Sequence, residues 1–102
     1  MAMTIRLQDE SGGKIEEVHD TKGLTAACLP SVSDLSYHCL RFIDPYGDTY
    51  FNEMQIETVL TERDRVFGDI QDNETKELAN KVKSLAQLCK NEPHLYLKFI
   101  GD

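Results

Sequence analysis

Several residue types and patterns that define special classes of protein are rare or missing in this sequence. It has no tryptophan, three prolines and six glycines among 102 residues, a composition that excludes collagen-like and low-complexity chains. No stretch approaches the roughly 18 uninterrupted apolar residues of a membrane-spanning helix, and the N-terminal residues lack the apolar block of a signal peptide. We therefore expect a protein that neither crosses a membrane nor is secreted.

Cysteine is rare, and its spacing is wide. The three cysteines are Cys28, Cys39 and Cys89. An odd number at this spacing argues against a disulfide framework and favours reduced thiols in a reducing compartment. We predict buried or half-buried thiols and a cytoplasmic protein.

Positive charge is scarce as well. Eighteen acidic residues outnumber eleven lysines and arginines, and the net charge is −7. Nucleic acids and anionic membrane surfaces are bound through basic surfaces, so the charge predicts binding to neither. With 40% apolar residues, a chain of this length can bury one modest core, and we expect a single domain over residues 1–102.

Apolar periodicity predicts an α+β domain in the order ββββααβ. The two helices would cover one face of an antiparallel or mixed sheet of about five strands. The predicted strands are residues 3–8, 14–19, 37–43, 48–51 and 94–100. The predicted helices are 53–67, capped by Asn52 with Gln55, and a second helix from a cap at Asp72 or Asn73 to Asn91. Asp44, Pro45 and Gly47 predict a turn that joins the third and fourth strands in a hairpin.

Motifs for catalysis, metals and cofactors are missing. The sequence has no glycine-rich phosphate loop, nucleophile elbow, H-E-x-x-H or paired C-x-x-C pattern. Asp44, Asp48 and Glu53 lack the spacing of a calcium-binding loop. His38 and Cys39 would point to opposite faces of a strand and so would not act together. We predict no catalytic residue, no metal site and no cofactor.

The first predicted helix carries an acidic face. Glu53, Glu57 and Asp64 follow one another at i, i+4 and i+11, and Glu62, Asp69 and Asp72 add negative charge to the region. Such a face steers a basic protein partner and sets its register. An ordinary solvated helix has the same pattern, so both interpretations stay open.

The sheet face away from the helices is the second candidate surface. Alternation predicts that it presents Cys39, Arg41, Ile43, Tyr96, Lys98 and Ile100. Tyrosine and arginine are enriched in interfaces, and a half-apolar face is typical of one that another protein covers. A solvated antiparallel sheet tolerates the same mixture. We predict partner-binding roles for Arg41, Tyr96 and Lys98 together with the acidic helix.

Three hypotheses of function follow. The first is a small acidic cytoplasmic protein-binding domain without catalytic activity, which neutralises or regulates a basic partner as immunity proteins do; the likeness is one of composition only. The second is a homo-oligomer, most simply a dimer through the open sheet face or an edge strand. The third is a small-ligand enzyme with a pocket near residues 20–44, with Tyr37, His38, Asp44 and His94 as acid–base candidates.

Overall fold

The structure is a computed structural model that describes residues 2–101, and Met1 and Asp102 lie outside the described residues. Its elements confirm the α+β class, with four strands in the described range rather than five. Their bounds are Met3–Asp9 (β1), Lys14–Asp20 (β2), Asp48–Asn52 (β3), Glu53–Phe67 (α1), Asn73–Asn91 (α2) and Leu95–Ile100 (β4), with short 3-10 turns at Ala26–Cys28 and Leu40–Phe42.

The four strands form one antiparallel sheet in the order β2-β1-β4-β3. The hairpin of β1 and β2 closes where Asp9 Oδ1 accepts bonds from the Ser11 and Gly13 backbone N–H groups, at 3.0 and 2.7 Å. Gly12 lies between them at a φ of 89°, a left-handed conformation that favours glycine. The last strand, β4, lies between β1 and β3, so it occupies the interior of the sheet.

Strand register separates the two faces of the sheet. Ile5 lies opposite both Val18 and Phe99, and Leu7 lies opposite Leu97. The four side chains of β1 and β4 in these pairs are at most 5% exposed. Both helices pack on this face, α2 over β1, β2 and β4, and α1 over β3 and β4. The core therefore lies between one sheet face and one helical layer, and the other sheet face stays uncovered by the described residues.

Both helices begin at the predicted caps. Asn52 Oδ1 accepts bonds from the Met54 and Gln55 N–H groups, and Gln55 Oε1 accepts a bond from the Asn52 N–H at 3.0 Å, a complete capping box. Asp72 Oδ2 accepts bonds from the backbone N–H and hydroxyl of Thr75 at the start of α2. Because Asn52 is also the last residue of β3, the strand passes into α1 without a loop.

The predicted strand at residues 37–43 is wrong. This segment forms a loop with a 3-10 turn at Leu40–Phe42, in which Cys39, Leu40 and Ile43 are buried. The turn at residues 44–47 is present, since the Gly47 N–H donates to the Asp44 carbonyl at 3.3 Å, but it leads from this loop into β3 and closes no hairpin. The backbone N–H groups of residues 38–40 bond to a carboxylate of α1 instead of a neighbouring strand. The alternation of apolar and polar residues in this segment does not indicate that its backbone bonds to a carboxylate of α1.

Candidate functional site

The structure brings Glu53, Glu57 and Asp64 onto one side of α1, and we call these three residues the acidic strip. All three are exposed, with side-chain exposures of 81% for Glu57 and 60% for Asp64. The nearest cations are Lys90, whose Nζ lies 3.9 Å from Glu57 Oε1, and Arg63, whose Nη1 lies 2.7 Å from Asp64 Oδ1. Exposed pairs of this kind contribute little to stability, so the carboxylates remain available to a partner.

The four arginines, by contrast, are held by groups of the same chain. Arg6 bonds to the Glu17 carboxylate, and Arg41 contacts the Val32 carbonyl and the Phe42 ring. Arg63 bonds to the Ala79 carbonyl and to the side chains of Asp64 and Asn80, and Arg65 contacts the Ser36 carbonyl and the Tyr37 ring. Arginine is the residue best suited to bidentate binding of an acidic partner. These guanidinium groups are therefore already engaged within the chain, whereas the carboxylates of Glu53 and Glu57 are exposed.

The uncovered side of the sheet, which we call the open face, is polar and ion-paired. It includes Thr4, Arg6, Gln8, Glu17, His19, Asp48, Tyr50, Asn52, Tyr96, Lys98 and Ile100. One cross-strand row runs Glu17, Arg6, Lys98, Tyr50, in which Arg6 Nη2 lies 2.7 Å from Glu17 Oε1 and Lys98 Nζ lies 4.9 Å from the centre of the Tyr50 ring. The hydrogen bond from Arg6 lowers the pKa of Glu17. The charges of this row are therefore largely satisfied within the sheet.

The predicted membership of the open face is right for β4 and wrong for the loop. Tyr96, Lys98 and Ile100 lie on it, as their alternation predicted. Cys39 and Ile43 instead pack in the core, and Arg41 belongs to the 3-10 turn, where its Nη1 donates to the Val32 carbonyl at 2.6 Å. The physical reason is that a 3-10 turn does not send successive side chains to opposite faces. The alternation of residues therefore does not predict which way each side chain of this segment points.

The acid–base candidates of the enzyme hypothesis are dispersed. Asp44 lies beside Gly101, after the end of β4, whereas His94 precedes the start of that strand, and six strand residues span about 20 Å. The Tyr37 ring lies 4.2 Å below the Arg65 guanidinium. No group of three or more potential metal ligands occurs among residues 2–101.

The thiols are unsuited to nucleophilic chemistry. Cys39 and Cys89 are buried, Cys28 is half-buried, and all three are free. Burial, followed by the Glu53 carboxylate, raises the pKa of Cys89 to about 11, and burial also raises the pKa values of Cys28 and Cys39. These thiols therefore stay protonated at neutral pH, and the thiolate is the reactive form of cysteine.

Two buried carboxylates were missed by the sequence reasoning. Glu62, which the sequence places among the acids of α1, is 3% exposed and accepts bonds from the backbone N–H groups of residues 38–40. Asp20 is 1% exposed and accepts bonds from the Leu24 and Thr25 N–H groups, each at 2.8 Å. The sequence gives one weak indication that Glu62 is buried, because it lies three residues after Val59, at the margin of the apolar stripe of α1.

Comparison with known proteins gives no indication of function, so the inference depends on the surface of the molecule. No family model matches the chain, and the searches of curated proteins and of solved structures returned no significant match. Within residues 2–101, neither helix combines the length and the apolar character needed to cross a membrane. We therefore infer function from the chemistry of the acidic strip and the open face.

Proposed function

We propose that this chain is a small protein-binding domain without catalytic activity, whose acidic strip recognises a basic protein partner. The observation that carries the proposal is that three carboxylates lie exposed along one side of α1, and that within residues 2–101 only Asp64 among them has a cation closer than 3.5 Å, the Arg63 guanidinium. A partner that presents lysine or arginine along α1 would form charge-assisted hydrogen bonds. Long-range attraction would speed its association and make the rate sensitive to salt.

The free thiols support a cytoplasmic location for this binding. Cys28, Cys39 and Cys89 are unpaired, and Cys39 and Cys89 are buried within the core. Reduced, protonated thiols persist in a reducing compartment, whereas small secreted domains of this size commonly depend on disulfides. We accordingly place the proposed partner in the same compartment.

Reversing the charge of the acidic strip is expected to weaken partner binding. The triple variant Glu53→Lys/Glu57→Lys/Asp64→Lys replaces attraction by repulsion, and loss of about 0.5 kcal/mol or more at each position corresponds to at least about tenfold in affinity. Partners are first captured from the source lysate with N-terminally tagged protein at low and at physiological salt. Binding of the recovered protein to wild type and variant is then measured by surface plasmon resonance.

A matched control separates a local contact from an effect of total charge. The variant Glu10→Lys/Asp69→Lys/Glu92→Lys changes the net charge by the same amount at three exposed sites outside the acidic strip. We expect this control to retain most of the affinity while losing part of the association rate. Equal affinities of wild type and the acidic-strip variant, or an affinity unaffected by salt, would contradict the proposal.

A homodimer through the open face is the second candidate. Tyr50 is 51% exposed, and Tyr96 and Ile100 are half-buried on the same uncovered face, a mixture enriched in interfaces. If this face pairs two copies, Tyr96→Asp is expected to convert the dimer to a monomer by burying a charge at the contact. Light scattering at high protein concentration measures this change, and the acidic-strip variant serves as the control that keeps the dimer. A monomeric mass for the wild type would eliminate this candidate.

A further inference from the structure

The outer edge of β2 borders a groove that the proposed function does not use. β2 is the terminal strand of the sheet, and α2 packs across its inner face. A groove of about 540 Å³ runs between them, with Val18, Leu78 and Leu85 as its apolar part and Glu16, Lys81 and Ser84 among its polar walls. A second hollow of about 200 Å³, lined by Lys22 and Glu74, continues it past His19.

The backbone of β2 is paired on one side only. Its ladder joins it to β1, and within residues 2–101 no other backbone hydrogen bond involves residues 15–19. An antiparallel strand points the N–H and C=O groups of alternate residues to opposite edges. Half of those groups in β2 therefore face outward beside the groove, as a template for one more strand.

We propose that an extended, positively charged segment of a partner protein adds to the edge of β2 as a fifth strand. Main-chain hydrogen bonds to β2 would hold the segment, and its alternate side chains would enter the groove beside α2. The inference rests on the proposed function in one respect, because it requires that the partner be a basic protein. It adds the form of the recognised segment and a second contact site away from the acidic strip.

Charge decides between a basic segment and a second copy of this chain. Four carboxylates that solvent reaches line the groove and its continuation against two ammonium groups, namely Glu16, Glu17, Glu74 and Glu77 against Lys22 and Lys81. Arg6, Lys22 and Lys81 pair with Glu17, Glu74 and Glu77, whereas Glu16 has no ion-pair partner within residues 2–101. Antiparallel self-pairing centred on β2 would place Glu16 or Glu17 opposite a glutamate of the second copy. Like charges directly opposite one another destabilise strand pairs, whereas lysine or arginine there is favourable.

The apolar residues of the groove define the pattern of the segment. Val18 and Leu78 are half-buried and Leu85 is 3% exposed, so apolar side chains entering from an added strand would find apolar contacts. The other face of the added strand would lie beside Glu17 and His19 of the open face. A segment about as long as the seven-residue β2 that alternates apolar and basic residues would fit both surroundings. Its apolar side chains would enter the groove, and its basic side chains would lie beside Glu17.

The probe for this inference is a heptapeptide with blocked ends that alternates lysine and valine, and the control peptide alternates glutamate and valine. We expect the lysine peptide to bind wild-type protein and to slow amide exchange at alternate residues within 15–19, as NMR detects. Glu16→Lys/Glu77→Lys is expected to lower its affinity about tenfold, since two negative charges that border the groove and its continuation become positive and repel the cationic peptide. Glu10→Lys/Glu92→Lys, with the same charge change at two exposed sites outside both the groove and the acidic strip, is expected to leave the affinity nearly unchanged.

The outcomes distinguish this inference from the proposed function. Binding that depends on Glu53 and Glu57, without alternating protection in β2, would overturn strand addition and leave the acidic strip as the site. Alternating protection in β2 would support strand addition. If, in addition, the acidic-strip variant captured the partner as well as wild type does, the proposed function would be contradicted. Equal binding of the two peptides, no binding, or protection of β2 that depends on protein concentration without peptide would each overturn the inference.

Discussion

Replacing Glu62 with glutamine is expected to lower the free energy of unfolding by about 3 kcal/mol at neutral pH. The Glu62 carboxylate is 3% exposed, and its Oε1 accepts bonds from the Cys39 and Leu40 N–H groups, each at 2.9 Å, while Oε2 accepts from His38. An amide retains one acceptor oxygen but turns an NH₂ group toward the remaining N–H donor. The variant therefore weakens two bonds and leaves one buried donor without a partner.

The effect of Glu62→Gln is expected to depend on pH. Burial raises the pKa of Glu62, but the three backbone donors outweigh burial and the net shift is downward from 4.5. A carboxylate with a lowered folded-state pKa contributes stability above its unfolded pKa and loses it as the pH falls through the folded value. The difference in the free energy of unfolding between wild type and variant is thus largest near neutral pH. It shrinks as the pH falls below about 4.5, the pKa of a glutamate in the unfolded chain.

Urea denaturation at neutral pH and at about pH 3 measures both parts of this prediction. Glu57→Gln is the matched control, because Glu57 lies on the same helix with its side chain 81% exposed and is expected to change stability by less than about 0.5 kcal/mol. A Glu62→Gln variant as stable as wild type, or a difference that stays constant with pH, would contradict the assigned role of the carboxylate.

Replacing Asp20 with asparagine is expected to lower the free energy of unfolding by about 2–3 kcal/mol. Asp20 is 1% exposed; its Oδ1 accepts from the Leu24 N–H and its Oδ2 from both the N–H and the hydroxyl of Thr25. These bonds join the end of β2 to residues 24–29, in which Ala26 and Leu29 pack against the core. An asparagine NH₂ group would face at least one of these donors, so the loop would lose its attachment to the sheet.

Asp34→Asn provides the comparison for Asp20→Asn. Asp34 Oδ1 also accepts from a nearby backbone N–H and hydroxyl, those of Ser36, but in a more exposed turn. We expect a loss below about 1 kcal/mol there, because water replaces the broken bonds. Amide exchange at Leu24 and Thr25 is measured together with urea denaturation. Faster exchange at these two amides with unchanged global stability would show that the loop is uncoupled from the core, against the prediction.

The candidate surfaces were predictable where they depend on regular periodicity. Helical spacing placed Glu53, Glu57 and Asp64 on one side of α1, and strand alternation placed Tyr96 and Lys98 on the open face. Arg41 was misplaced because its segment is a loop with a 3-10 turn. The groove beside β2 was not foreseen, since it arises from the packing of α2 against a strand more than 50 residues earlier in the chain.

The sequence by itself determined the elements whose causes are local. The hairpin of β1 and β2, the capping box at Asn52, the apolar stripe of α2 and the last strand follow from turn chemistry and from the spacing of apolar residues. These features depend on neighbours within a few positions along the chain. For that reason they could be predicted from the sequence without knowledge of the fold.

Only the tertiary structure decided the strand order, the fate of residues 37–43 and the division of the acids into buried and exposed. The insertion of β4 between β1 and β3 is a long-range pairing, and Glu62 satisfies N–H groups 22 to 24 residues away. A buried carboxylate that offers several acceptors to a loop removes the need for a strand partner. Such a bond pairs two distant segments, so neither segment's own pattern indicates it.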